Sequence, residues 1–266
     1  MVGKVITLRI RREGKVDKSL KIAKLNIKDM TKRIFIFYCI FISYLMLITR
    51  AADKDTAPLY GMDVFAFVFM IFCGIYTFKK KFYIAQCNNV SRKTFIKGII
   101  ISIFPLAGFM AIFEVLINRG LNAFIKAPTT YDNFFGNYRN LRDLGASAVW
   151  IQDNSFITIV NTILLLFAMY CVAYIIGLVA NMIYYRCNEV VGLAIIAAPA
   201  IFFKILKWMD VKPFVFRLYD INEYMKGIFN LSNNNIIPVI VIYTLIFVAL
   251  YGMANLLVRR VVIKEN

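Results

Sequence analysis

The sequence predicts an all-α polytopic membrane protein with six transmembrane helices. Three observations carry that prediction. Of 266 residues, 61% are apolar and only 18% are charged, whereas an ordinary soluble domain is about 45–50% apolar. The charges cluster between long uncharged runs, as at Asn154–Tyr185 and Gly227–Val258. Lys and Arg (32) outnumber Asp and Glu (15), and the excess is concentrated in alternate connecting segments. That distribution fits membrane orientation better than a nucleic-acid face, which needs its positive charge on one solvated surface.

A helix needs about 20 apolar residues to cross a bilayer. The runs place spans at about 34–49, 60–78, 98–118, 156–185, 190–208 and 236–258. The first and fifth are short, and Arg33, Arg50 and Lys204 extend them by snorkelling. Residues 119–155 and 209–235 then form outer loops, and 259–266 a tail. With six spans both termini share a side. That side carries 21 basic and 5 acidic residues against 11 and 8 on the other, so both termini are predicted to be cytoplasmic in a cell-membrane protein. The first 33 residues contain no apolar signal-peptide core. Cys39, Cys73 and Cys171 fall in spans, and Cys87 and Cys187 on the inner side, so no extracellular disulfide is expected.

Within the cytoplasmic segment 1–33, residues 5–11 alternate as a short strand would. Residues 17–33 have helical periodicity instead: Leu20, Ala23, Ile27, Met30 and Ile34 share a face, and Lys21, Lys24, Lys28 and Lys32 lie on others. A basic amphipathic helix is expected to lie in the inner membrane interface, lysines toward anionic lipid headgroups. A solvated helix is the plainer alternative.

The 79–97 segment has six basic residues and no acidic one. Asn88 and Asn89 suit a turn, and Ser91 suits an N-cap for the third span. Phe82, Tyr83, Ile84 and Val90 add apolar anchors. The expectation is a short helix between spans that docks a cytosolic partner. Simple control of topology by basic residues also accounts for its charge. Outside, aromatic residues of 119–153 such as Phe124, Phe134 and Trp150 suit interfacial anchors.

The chain has no histidine, no P-loop and no C-x-x-C pair. Ser-His catalysis and His-ligated metal sites are therefore excluded. No metal or cofactor is expected in this chain, and an active transporter built on it must draw energy from a partner or an ion gradient. Asp63, Glu114 and Lys204 are placed at similar depth toward the outer leaflet. Pairing of Glu114 with Lys204 reads either as a structural ion pair or as an outer gate. Pro105 and Pro199 mark kinks that serve close packing or a hinge.

The order of these parts resembles the membrane subunits of ABC-2 type transporters, exporter-like permeases that work with separate ATPases. The local resemblance lies in Asn88-Asn89-Val90-Ser91-Arg92-Lys93. Similar permeases of low-GC Gram-positive bacteria carry N-G-V-S-R-K there, and this chain has Asn89 in place of the glycine. The resemblance implies a pathway between two permease protomers, identical or paralogous. It implies that P-loop ATPase subunits bind the ATP and Mg. It makes 79–97 the coupling element, with Lys79, Lys80, Lys81, Phe82, Asn88, Asn89, Ser91, Arg92 and Lys93 as contacts. Export of, or immunity to, an antimicrobial peptide or another amphipathic substrate is the function it suggests. An ATPase-independent secondary transporter and a membrane scaffold or sensor are the alternatives, and nucleic acid is not an expected partner.

Overall fold

A computed structural model describes residues 15–51, 62–135, 152–186 and 236–259. They form six helices: α1 (Lys15–Ala51), α2 (Met62–Cys87), α3 (Arg92–Leu121), the short α4 (Thr130–Phe135), α5 (Phe156–Arg186) and α6 (Ile237–Arg259). Among the described residues there is no strand. Four helices, α1, α3, α5 and α6, are long and apolar enough to cross a membrane, which fits a membrane-embedded protein. The second expected span is a helix but not one of these four. Its uncharged run, Val64–Phe78, is bounded by Asp63 and by Lys79–Lys81 and covers only about 23 Å. The expected fifth span at 190–208, the strand at 5–11 and most of the outer loops lie outside the described residues.

No glycine or proline interrupts Lys15–Ala51, so nothing breaks the helix between the amphipathic segment and the first span. The two are one helix of 37 residues, about 55 Å long. Ser19, Ala23, Asn26, Met30, Ile34, Tyr38, Phe41 and Leu45 are all buried and recur every three or four residues, so they form one stripe. This stripe packs along α3. A Cβ on Gly98 would come within 2.7 Å of the Ser19 carbonyl oxygen, Asn26 bonds Ser102, and Tyr38 bonds the Met110 carbonyl. The segment 17–33 therefore stands beside α3 rather than lying across the bundle in the interface. Leu20, expected on the apolar face, is exposed.

The expected separate helix within 79–97 is also replaced. α2 continues through Lys79–Lys81 to Cys87, and α3 starts at Arg92. Burial explains the extension: Phe82 stacks on Phe78 at 4.9 Å and meets Phe95 edge-on at 5.4 Å. Only a tight turn separates the helices. Val90 N donates to Ala85 O at 3.0 Å and Asn89 N to Gln86 O at 3.0 Å, the Schellman pattern of a helix end. Asn89 takes the left-handed position at φ 53°, as expected of the best non-glycine residue for it. Ser91 caps α3 by accepting from Thr94 N at 3.2 Å, also as expected.

α5 is the centre of the bundle and packs against α2, α3 and α6. Its tightest crossing is with α2, at Gly74 and Gly177. A Cβ on Gly177 would run into the Ile71 carbonyl oxygen, and one on Gly74 into that of Tyr174. Two backbones can approach this closely only where both lack side chains. The Asn181 side-chain amide donates to the Ile75 carbonyl oxygen beside the crossing.

α1 and α3 run in one direction, α2 and α5 in the other. α6 runs parallel to α5, because Ile236 packs with Tyr131 and Leu165 at the upper end while the α6 C-terminus meets Arg92 at the lower end. The chain between Arg186 and Ile236 thus joins opposite ends of the bundle. The N-terminus of α1 and the C-terminus of α6 share the lower end.

Replacing Gly177 by Ala should lower the apparent Tm of the detergent-purified chain by about 5 °C or more, from overpacking of roughly 1–3 kcal/mol. Gly252→Ala, where an added Cβ meets nothing within 4 Å, should leave the Tm unchanged or slightly higher. Size-exclusion thermal scans measure both.

Candidate functional site

The most connected polar site lies inside the bundle, a few turns above the α2–α3 turn. Asn26 of α1, Thr77 of α2, Ser102 of α3 and Tyr174 of α5 are all fully buried. The Asn26 amide donates to Ser102 Oγ at 2.6 Å and to the Tyr174 hydroxyl at 2.8 Å. Its oxygen accepts from Lys81 Nζ at 2.5 Å. Tyr174 OH lies 2.5 Å from Thr77 Oγ1, which in turn donates to the Cys73 carbonyl at 2.8 Å. Lys81 also pairs with Asp29 at 3.0 Å. One asparagine thus joins four helices, and its polar atoms are satisfied as burial requires.

Sequence reasoning placed none of Asn26, Thr77, Ser102 and Tyr174 in a site. Asn26 was detectable: it falls in the buried register of Ala23 and Met30, where a polar residue needs partners. The other three sit within uncharged runs, where periodicity does not mark them.

The expected coupling residues divide by position. Lys79, Lys80 and Lys93 are exposed at the lower end. Asn89 and Ser91 are exposed and shape the turn, with Asn88 half-buried. Lys81 is 7% exposed and is committed to Asn26 and Asp29, and Phe82 is in the core. Neither presents a surface to a partner. Arg92 donates to the Arg259 carbonyl at 2.6 Å, so it closes the C-terminus of α6, where a cation is favoured. Above this group, Arg33 lies 4.7 Å over the Tyr76 ring and joins α1 to α2.

At the upper end Asp63 and Glu114 are each 3% exposed. Asp63 accepts from Thr130 N at 2.7 Å, at the start of α4. Thr129 and Asp132 cap that helix reciprocally, at 3.0 and 3.2 Å. Glu114 accepts from Tyr38 OH at 3.3 Å. Among the described residues neither carboxylate has a cationic partner, and Lys204, the expected one for Glu114, lies outside them. Pro105 is inside α3, which continues through it. Pro199 lies outside the described residues. Beyond the helices, the Thr158 hydroxyl and the Ser155 amide hold the Asp153 carboxyl below its usual range. Among the described residues no group of acidic or thiol side chains is placed to hold a metal ion.

Asn26→Ala and Lys81→Ala should each cost about 2–4 kcal/mol, because each leaves buried polar atoms unpaired. Their double variant should fall short of the sum by about 1 kcal/mol or more. Unfolding in mixed micelles of rising SDS content measures the cycle. Asn89→Gly should stabilise by up to about 1 kcal/mol and Asn89→Val destabilise by about 1–2 kcal/mol in the same assay.

Comparison with protein-family models, curated proteins and solved structures finds no match for this chain.

Proposed function

We propose that the chain is the membrane-spanning permease subunit of an ATP-driven transporter of the ABC-2 type. Two such subunits, identical or paralogous, enclose the pathway, and separate P-loop ATPases bind ATP and Mg. The observation that carries this reading is the rigid basic turn at the lower end with the Asn26 network above it. Lys93 opens α3 directly after a turn fixed by a Schellman motif and a serine cap, and Lys79 and Lys80 are exposed on α2 about two turns above it. A partner engaging that turn pushes on α2 and α3 together. Asn26 passes the push from both helices to α1, and the Gly74–Gly177 crossing passes it from α2 to α5. Packed interfaces of this kind shift between discrete arrangements rather than deform continuously. A cytoplasmic position for this end, and hence for both termini, follows from its basic surface.

An ion-driven carrier is the second reading, and the Lys81–Asp29 pair favours it.

The chain purified from its native membrane should bring with it a protein carrying a G-x-x-x-x-G-K-[ST] loop. Lys79→Glu, Lys80→Glu and Lys93→Glu combined should weaken that association at least about tenfold and leave the Tm unchanged. Arg92 is unsuitable for this test because it also closes α6. Gradient-driven transport by the purified chain alone, with no ATPase retained, would overturn the proposal.

A further inference from the structure

Two polar layers cross the bundle, and their hydrogen bonding differs. In the lower layer the Asn26 network closes on itself. The upper layer surrounds Glu114, about 18 Å further along α3 than Ser102. Four helices contribute to it: Tyr38 from α1, Asp63 from α2, Glu114 from α3 and Tyr170 from α5, each 3% exposed or less. Glu114 and Asp63 are within electrostatic reach of each other, and the Tyr170 hydroxyl is within reach of both and of Tyr38. Asp63 Oδ1 and the Tyr170 hydroxyl nevertheless have no hydrogen-bond partner among the described residues. Buried polar groups are nearly always paired, so these two mark a place where the bonding of the layer changes.

No described side chain supplies a counter-charge. On α4, Asp132 adds a third carboxyl group close to Asp63. On α3 itself, Arg119 is turned away, toward Asp153 and Asn154. Of the remaining helices, α5 is uncharged before Arg186 and α6 before Arg259, and on α1 Arg33 lies over Tyr76. Two carboxylates that share a buried site do not both stay ionised, and one takes up a proton.

The hydrogen count identifies which one. Tyr38 OH lies 3.3 Å from the Met110 carbonyl oxygen and 3.3 Å from Glu114 Oε2. A phenol has one hydrogen to donate, so beside an ionised Glu114 it must share that hydrogen between two acceptors. With a proton on Glu114 both contacts become full hydrogen bonds. The carboxyl group then donates to Tyr38, and Tyr38 donates to Met110. Asp63 is placed to remain an anion, because it sits in the first turn of α2 and accepts from Thr130 N. Two carboxyl groups in different surroundings thus take different roles.

We propose that Glu114 is a proton-binding site, which takes one proton from hydronium at the upper end, releasing water, and returns it by the reverse step. The site goes beyond the permease reading and does not depend on it. Asp63 and Tyr38 are positioning residues: one sets the local field, the other receives the Glu114 hydrogen.

Infrared difference spectra of the full chain in nanodiscs test the site. At neutral pH the chain should show a protonated-carboxyl C=O band that shifts in D2O, fades as the pH is raised and is missing from Glu114→Gln. Asp63→Asn should move the midpoint of that titration to lower pH by about one, because a like charge is removed. Tyr38→Phe should change the frequency of the band and leave it titrating. The Tm of the unmodified chain should fall as the pH rises through the midpoint, since ionising Glu114 in the buried layer disfavours the fold, whereas the Tm of Glu114→Gln should not respond there. The absence of any such band would overturn the proposal, because Glu114 would then be ionised and paired with a cation such as Lys204. A band that neither exchanges in D2O nor titrates would also overturn it and leave Glu114 a permanently neutral structural acid.

Discussion

Asn26 sets the arrangement of the bundle. Its amide is fully buried and finds partners only if α2, α3 and α5 each bring a polar side chain to the same level. An unsatisfied amide in that place costs about 1–3 kcal/mol, and Lys81 would be costlier still without its two acceptors. The network therefore fixes the depth at which α1 stands. It also fixes the rotation of α1, because Asn26 shares one stripe with Ala23, Met30 and Ile34. That stripe turned toward α3 leaves Lys24, Lys28 and Lys32 on the open side.

The glycine crossing of α2 and α5 does for the other half what Asn26 does for α1 and α3. It depends on shape alone and tolerates no side chain at either glycine. The two devices meet at Thr77 and Tyr174, each within one turn of a crossing glycine. α1, α2, α3 and α5 are thus locked to one another, and α6 joins them at its lower end through the buried Ala254 and Val258 and through Arg92. α6 is also the least enclosed of the four apolar helices, with 6% of its apolar window buried. It is the helix with most surface left for lipid or a second copy.

The parts legible in the sequence were those governed by local chemistry. Helices appeared where uncharged runs were long, the left-handed turn fell on Asn89, and the cap fell on Ser91. These follow from backbone sterics and from hydrogen bonds within a few residues. The placement of 17–33 was not legible. Its periodicity is the same whether the apolar face meets lipid or another helix, so amphipathicity alone cannot choose between interface and bundle. The polar residues Asn26 and Ser19 on that face were the distinguishing sign, since a lipid-facing stripe would exclude them. The fate of 79–97 was hidden for a related reason. Its charges marked an end of the membrane, but Phe82 and Phe95 needed burial, and they extended both helices until only four residues remained for the turn.

The charge excess that suggests orientation keeps its place once α1 stands upright. Lys81 of α2 pairs with Asp29 of α1, so the exposed Lys24, Lys28 and Lys32 stand close to the level of Lys79 and Lys80 and belong to the same basic lower part of the bundle. The lower end keeps its positive surface through Lys79, Lys80, Lys93 and Lys97, so the direction of the chain is unaffected. At the upper end the carboxyl groups of Asp63 and Glu114 are buried instead, Asp63 accepting from the Thr130 amide and Glu114 from the Tyr38 hydroxyl.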